Sequence, residues 1–111
     1  MKVKETIKGE VAILTVSGNM MGGLETAQLH DSVKALAEKK IVKIVVDLSD
    51  VKWMNSSGIG TLMACFSTLS THNGKIRLAG VSEKIESLLV VTKLMNLFET
   101  APTVDKAVEG F

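Results

Sequence analysis

The chain has 111 residues, 46% of them hydrophobic and 23% charged, with 13 Lys and Arg against 12 Asp and Glu for a net charge of +1. That composition excludes intrinsic disorder, and the length suits one domain, residues 1–111, with its own core. The balanced charge, the absence of any Lys/Arg run longer than two and the 4% aromatic content argue against a nucleic-acid partner, and the single cysteine, Cys65, excludes an internal disulfide.

The opening residues, MKVKETIKGE, contain no apolar signal region, and no apolar run approaches the roughly 20 residues that cross a bilayer. A cytoplasmic protein without membrane insertion is the expectation. VKETIK alternates weakly, and VAILTV (11–16) is an apolar run of strand length; Gly9-Glu10 lies between them, so the two runs read as a hairpin. Residues 24–40 carry Leu29, Val33, Leu36 and Ala37 at helical spacing and finish on Glu-Lys-Lys, a cationic end that suits a helix dipole. IVKIVVDL (41–48) is nearly continuous and β-branched, as in a central strand buried on both faces.

From Ser57 the period changes. Ile59, Leu62, Met63, Phe66 and Leu69 form one helical stripe that closes near Asn73-Gly74. KIRLAG (75–80) reads as a short strand, and Ser82 caps a helix carrying Ile85, Leu88 and Leu89. A last short strand is expected near Leu97–Thr100, and TVDKAVE (103–109) reads as a terminal helix contacting the rest through Val104, Ala107 and Val108. Strands alternating with helices predict an α/β domain: a mixed sheet of four to five strands packed against about four helices.

The polar interruption WMNSSGIG lies between the central strand and the following helix. Ligands and chemistry collect at such strand C-terminal ends, and the free N–H groups of a helix's first turn favour an anion. Ser56 or Ser57 at that end serves either as a helix cap, the ordinary role of serine there, or as a phosphate acceptor. The residues alone leave open which serine takes which role; Asn55 also offers a side-chain oxygen for a turn or cap. Gly58 and Gly60 allow close approach of backbone or partner to the first turn. Asn55-Ser56-Ser57 matches a glycosylation sequon, which the absence of a signal peptide discounts.

With this order of elements, the stretch DLSDVKWMNSSGIGTL resembles the STAS domain, and specifically the bacterial anti-sigma-factor antagonists. Trp53, Met54, Ser56, Gly58, Ile59 and Gly60 match that family's motif; VAILTVSGNM resembles its second strand, and KLMNLFET with TVDKAVE its C-terminal end. The resemblance implies a regulator of transcription by partner switching. Its partners would be an anti-sigma factor that is also a serine-protein kinase, which phosphorylates Ser56 in preference to Ser57, and a serine phosphatase, which reverses the modification; Ser57 is then the expected helix cap. Met20, Met21, Trp53, Asn55, Ser57, Gly58, Ile59 and Gly60 would form the partner surface. Two departures stand out: Asn55 occupies the place of the family's usual Asp, and GNMMGG lacks the acid that often follows the second strand.

Other candidates are weaker. Met20 and Met21 between glycines form an adaptable apolar contact or fill the core at a helix entrance. Trp53 is read as packing beside the sheet, with a partner anchor as the alternative. His30 and His72 lack metal-ligand spacing and are read as surface histidines; Cys65 is read as a buried, inert thiol. No Gly-x-Ser-x-Gly elbow or GxxxxGK loop occurs, so neither an enzyme nor a cofactor is expected. The competing functions are an unswitched STAS adaptor within a larger signalling or transport complex, and a nucleotide-binding STAS domain.

Overall fold

A computed structural model describes residues 1–111. Its first two strands, β1 (Lys2–Lys8) and β2 (Val11–Ser17), form the expected hairpin, with Lys8 opposite Val11 and Lys2 opposite Ser17. Gly9 turns the chain at φ +65°, a conformation that a residue without a Cβ adopts freely. The chain continues through α1 (Gly23–Glu38), β3 (Lys43–Asp50), α2 (Ser56–Thr71), β4 (Lys75–Ala79) and α3 (Glu83–Val91). A 3₁₀ turn at Leu94–Asn96 then leads into β5 (Glu99–Ala101) and α4 (Val104–Glu109). The five strands lie in the order β1-β2-β3-β4-β5, antiparallel in the first pair and parallel in the rest.

Alternation along the strands divides the core in two. Ala12, Leu14 and Val16 of β2, Ile44, Val46 and Leu48 of β3, and Ile76 and Leu78 of β4 join one large buried cluster. Leu29, Val33 and Leu36 of α1, Leu62, Cys65 and Leu69 of α2, and Ile85 and Leu89 of α3 complete it, so three helices cover that face. The opposite face carries a thin layer, Val11, Ile13, Val45 and Ala79 beneath Ala107 of α4. Burial of β3 on both faces is therefore confined to its middle. Arg77 projects on the thin side, where it pairs with Glu99 (2.6 Å), donates to the Gly110 carbonyl (2.7 Å) and lies over the Phe111 ring.

Helix ends account for the boundaries that differ from expectation. Lys40 adopts φ +65°, Lys40 N–H donates to Ala37 O and Ile41 N–H to Leu36 O, each at 2.9 Å. These two bonds close α1 at Glu38, two residues early, leave its last turn without a basic residue and take Ile41 out of the strand, so β3 starts at Lys43 instead of residue 41. Asn73, at φ +58°, closes α2 in the same manner, with Gly74 N–H donating to Leu69 O. Ser82 caps α3 as expected, its Oγ accepting from Ile85 N–H, and Thr103 caps α4, its Oγ1 accepting from Lys106 N–H. Of the two histidines, His72 is exposed as expected, but His30 is partly buried and its Nε2 meets Thr68 Oγ1 at 2.8 Å, tying α1 to α2. Burial, and then Lys34, hold the His30 pKa below its ordinary value against the opposing pull of Asp31.

Leu14→Ala, at the centre of the large cluster, is expected to lower the unfolding free energy by about 2–5 kcal/mol, whereas Ile7→Ala on the exposed edge strand changes it by about 0.5 kcal/mol or less. Urea denaturation of both variants measures the contrast.

Candidate functional site

The segment after β2 and the segment after β3 are stitched together backbone to backbone. Gly18 N–H donates to Asp50 O (3.3 Å), Met20 N–H to Trp53 O (3.1 Å) and Asn55 N–H to Met20 O (3.2 Å). Met20 and Met54 form an isolated parallel bridge, in effect one more step of the sheet. Asn19 adds a side-chain clamp: its Oδ1 accepts from Lys52 N–H (3.3 Å) and Trp53 N–H (3.1 Å). The start of α1 is thereby held beside the start of α2.

Asn55 caps α2. Its Oδ1 accepts from Gly58 N–H at 3.1 Å, while its Nδ2 donates to the Met21 carbonyl at 2.9 Å. The expectation that Ser57 caps the helix is corrected, because Ser56 and Ser57 are already its first two residues. Both hydroxyls are free of a capping role, and both serines are exposed. Ser57 stands against Gly22, where an added Cβ would come within 3.0 Å of the Ser57 Cβ. Ser56 is thus the serine at the outer edge of the helix start. No acidic residue occupies the first turn of α2, so the N-terminal end of its dipole is not offset by a carboxylate.

The two glycines of the motif differ in role. Gly58 is buried, and a Cβ there would lie 2.9 Å from Met20 Cβ and collide with the Met20 carbonyl; its small size serves packing, not accessibility. Gly60 is exposed with open space around it. Ile59 is partly buried against the large cluster.

The methionine pair also separates. Met20 is fully buried and belongs to the core, which removes its side chain from the partner surface, while Met21 is 52% exposed. Trp53 does not pack away beside the sheet; it is 36% exposed, with Lys84 Nζ of α3 5.3 Å from its ring centroid. Leu24, in the first turn of α1, is 88% exposed and was not singled out from sequence, although it lies off the Leu29–Val33–Leu36 stripe. Asn19 and Lys84 were missed as well; the sequence carries no periodic signal for either. Met21, Leu24 and Trp53 leave an apolar rim at the end of the molecule that carries Ser56. Because the strands run in sequential order, the sheet has no reversal point of the kind at which α/β sheets commonly hold small ligands. Ser56 lies on a surface.

Elsewhere, Cys65 is fully buried, and burial pushes its thiol pKa up to about 12. No three His, Cys, Asp or Glu side chains come together as metal ligands, and no helix is long and apolar enough to cross a membrane.

A sequentially ordered mixed sheet, three helices on one face, and a serine-bearing corner at the end of β3 define an α/β module built around an exposed surface. The chain belongs to the STAS domain family, whose model matches residues 2–107. Among curated proteins it is similar to the anti-sigma-B factor antagonist of Listeria monocytogenes, with 25% identity over 75% of this chain and 68% of that protein. Among solved structures it resembles a Thermotoga maritima protein proposed to be an anti-sigma factor antagonist, with 26% identity, a TM-score of 0.82, and coverage of 97% of this chain and 92% of the other. The fold is also that of the Bacillus cell fate determinant SpoIIAA in its phosphorylated form, at 15% identity and a TM-score of 0.76, covering 97% of each chain.

Gly58→Ala forces the first turn of α2 off the Met20 backbone and is expected to destabilise the fold by about 2 kcal/mol or more. Gly60→Ala, with room for the methyl and a helical backbone, is expected to stabilise by about 0.4–1 kcal/mol. Thermal melts of the pair test the difference. Cys65 should resist iodoacetamide in the native protein and react once unfolded, which mass spectrometry of the labelled chain reads directly.

Proposed function

We propose that this chain is a cytoplasmic anti-sigma-factor antagonist, which binds an anti-sigma factor/serine-protein kinase through the Ser56 corner and is switched by phosphorylation of Ser56. The observation that carries the reading is the position of Ser56: an exposed hydroxyl at the first residue of α2, with no carboxylate in that turn and an apolar rim of Met21, Leu24 and Trp53 nearby. The similarity to proteins described as anti-sigma factor antagonists supports the same reading.

The chemistry of the switch follows from charge. A phosphate on Ser56 adds roughly −1.5 to −2 charges at neutral pH. In the free protein it faces water and the positive end of the α2 dipole, which tolerate it. Pressed into an apolar interface it would have to be desolvated, and an unpaired buried charge costs about 3–5 kcal/mol. One modification therefore releases the partner without refolding this chain. ATP and Mg²⁺ belong to the kinase, and a serine phosphatase returns the protein to its binding form.

One observation favours a second reading, an unswitched STAS adaptor. Asn55 stands where the resemblance leads one to expect an acid beside the acceptor, and both its amide oxygen and its amide nitrogen are engaged in holding the corner together. The adaptor reading predicts that Ser56→Asp leaves partner affinity unchanged.

Incubation with its kinase and MgATP should add one phosphate by intact mass, and Ser56→Ala should abolish it. Absence of phosphate, or a phosphate indifferent to Ser56→Ala, would overturn the switch. Ser56→Asp is expected to weaken partner binding by roughly 100-fold, the equivalent of about 2.7 kcal/mol.

A further inference from the structure

The Asn55 amide works in two directions at once. Its oxygen takes a hydrogen from α2, at Gly58, and its nitrogen gives one to the preceding loop, at the Met21 carbonyl. Only a carboxamide, or a protonated carboxylic acid, does both in place; an ionised carboxylate accepts at both oxygens and would set one of them against the Met21 carbonyl. The loop held in this way has one further side-chain tie, Gly22 N–H donating to Thr26 Oγ1 of α1 at 2.9 Å. Beyond Met21 come Gly22 at φ +95° and Gly23 at φ +76°, two residues without a side chain to restrict rotation. The capping position of α1, Gly22, makes no side-chain cap bond. Half-exposed Met21 and nearly bare Leu24 sit on either side of this glycine joint.

We infer that Asn55 is the positioning residue of the corner: its Nδ2 bond to Met21 locks the glycine joint, so that Met21 and Leu24 are presented at a set place relative to Ser56. The inference rests on the reading of this corner as the partner-facing surface, and adds how that surface is held. The partner then meets a preformed rim, and modification of Ser56 alters its charge, not its shape. An amide at this position does not titrate. It keeps the latch closed at every pH at which the protein is folded, whereas an acid at this position would hold the loop only when protonated.

Hydrogen exchange by mass spectrometry tests this on the full chain, with no partner required. Peptides covering 18–24 and the body of α2 are followed in wild type, Asn55→Asp and Asn55→Ala, at neutral pH and below the carboxyl titration at about pH 4, with intrinsic rates corrected. The other charged groups around the corner are Asp50 and Lys52 on its approach, Glu25 in the first turn of α1, and Lys84 over Trp53. All four are present in wild type, whose own profile subtracts them. In Asn55→Asp at neutral pH, the 18–24 segment should exchange roughly tenfold faster, the factor expected for one lost hydrogen bond. The α2 body should stay protected, since the cap is retained. On acidification the protonated carboxyl can again donate to Met21 and accept from Gly58, so protection of 18–24 should return toward wild type. Asn55→Ala should expose the segment at both pH values. Wild-type protection of 18–24 in Asn55→Asp at neutral pH overturns the inference. So does a loss that deepens on acidification, because a carboxylate acting only as a cap binds the helix end best when ionised. Failure here leaves the Ser56 phosphate measurement untouched, and failure of that measurement leaves the latch intact.

Discussion

The close approach of α2 to the Met20 backbone is the constraint on which the corner depends. It requires glycine at position 58, since any side chain there would strike the Met20 carbonyl. It brings Asn55 within reach of both the helix and the loop, and it places Met20 in the core as an extension of the sheet toward Met54. The direction of α2, the entry of α1 and the outward position of Ser56 all follow from this contact.

The architecture around it separates rigidity from exposure. Three helices bury one face of the sheet almost completely, so β2 and β3 cannot move independently of α1 and α2. The loops that join strand ends to helix starts are then held by main-chain bonds and by the side chains of Asn19 and Asn55. What remains free at the end of the molecule is a small set of groups: two hydroxyls, an indole under a lysine, the Met21 thioether and the Leu24 side chain. The two titratable groups with displaced pKa values, His30 and Cys65, are held in the helix layer and not at this end.

Asn55 shows how one atom changes the character of such a site. An acid here would add charge at the helix start and cap it well. The amide caps it without charge and spends its nitrogen on the loop. The start of α2 is consequently neutral, while the first turns of α1, α3 and α4 each carry an acid.

Much of this was legible in the sequence, because much of it is local. The hairpin, the helix stripe from Leu62 to Leu69, the Ser82 cap and the order of elements follow from period, turn residues and capping chemistry, which act over a few positions. The serine-bearing corner was legible for the same reason. Other features needed the tertiary structure, because they depend on residues distant in the chain. Lys40 ends α1 in a left-handed conformation without a glycine to announce it. Met20 is buried and Met21 exposed, though they are adjacent and identical, because the segment after β3 pairs at Met54 with Met20 and not with Met21. Whether Asn55 or Ser57 caps α2 turned on a loop more than 30 residues earlier, whose Met21 carbonyl claims the Asn55 nitrogen (|i−j| = 34) and so fixes the orientation of its oxygen. Sequence alone determined the elements and the hydroxyl, since these are set by near neighbours; packing decided which side chains were left at the surface, since that is set by whatever lies across the sheet.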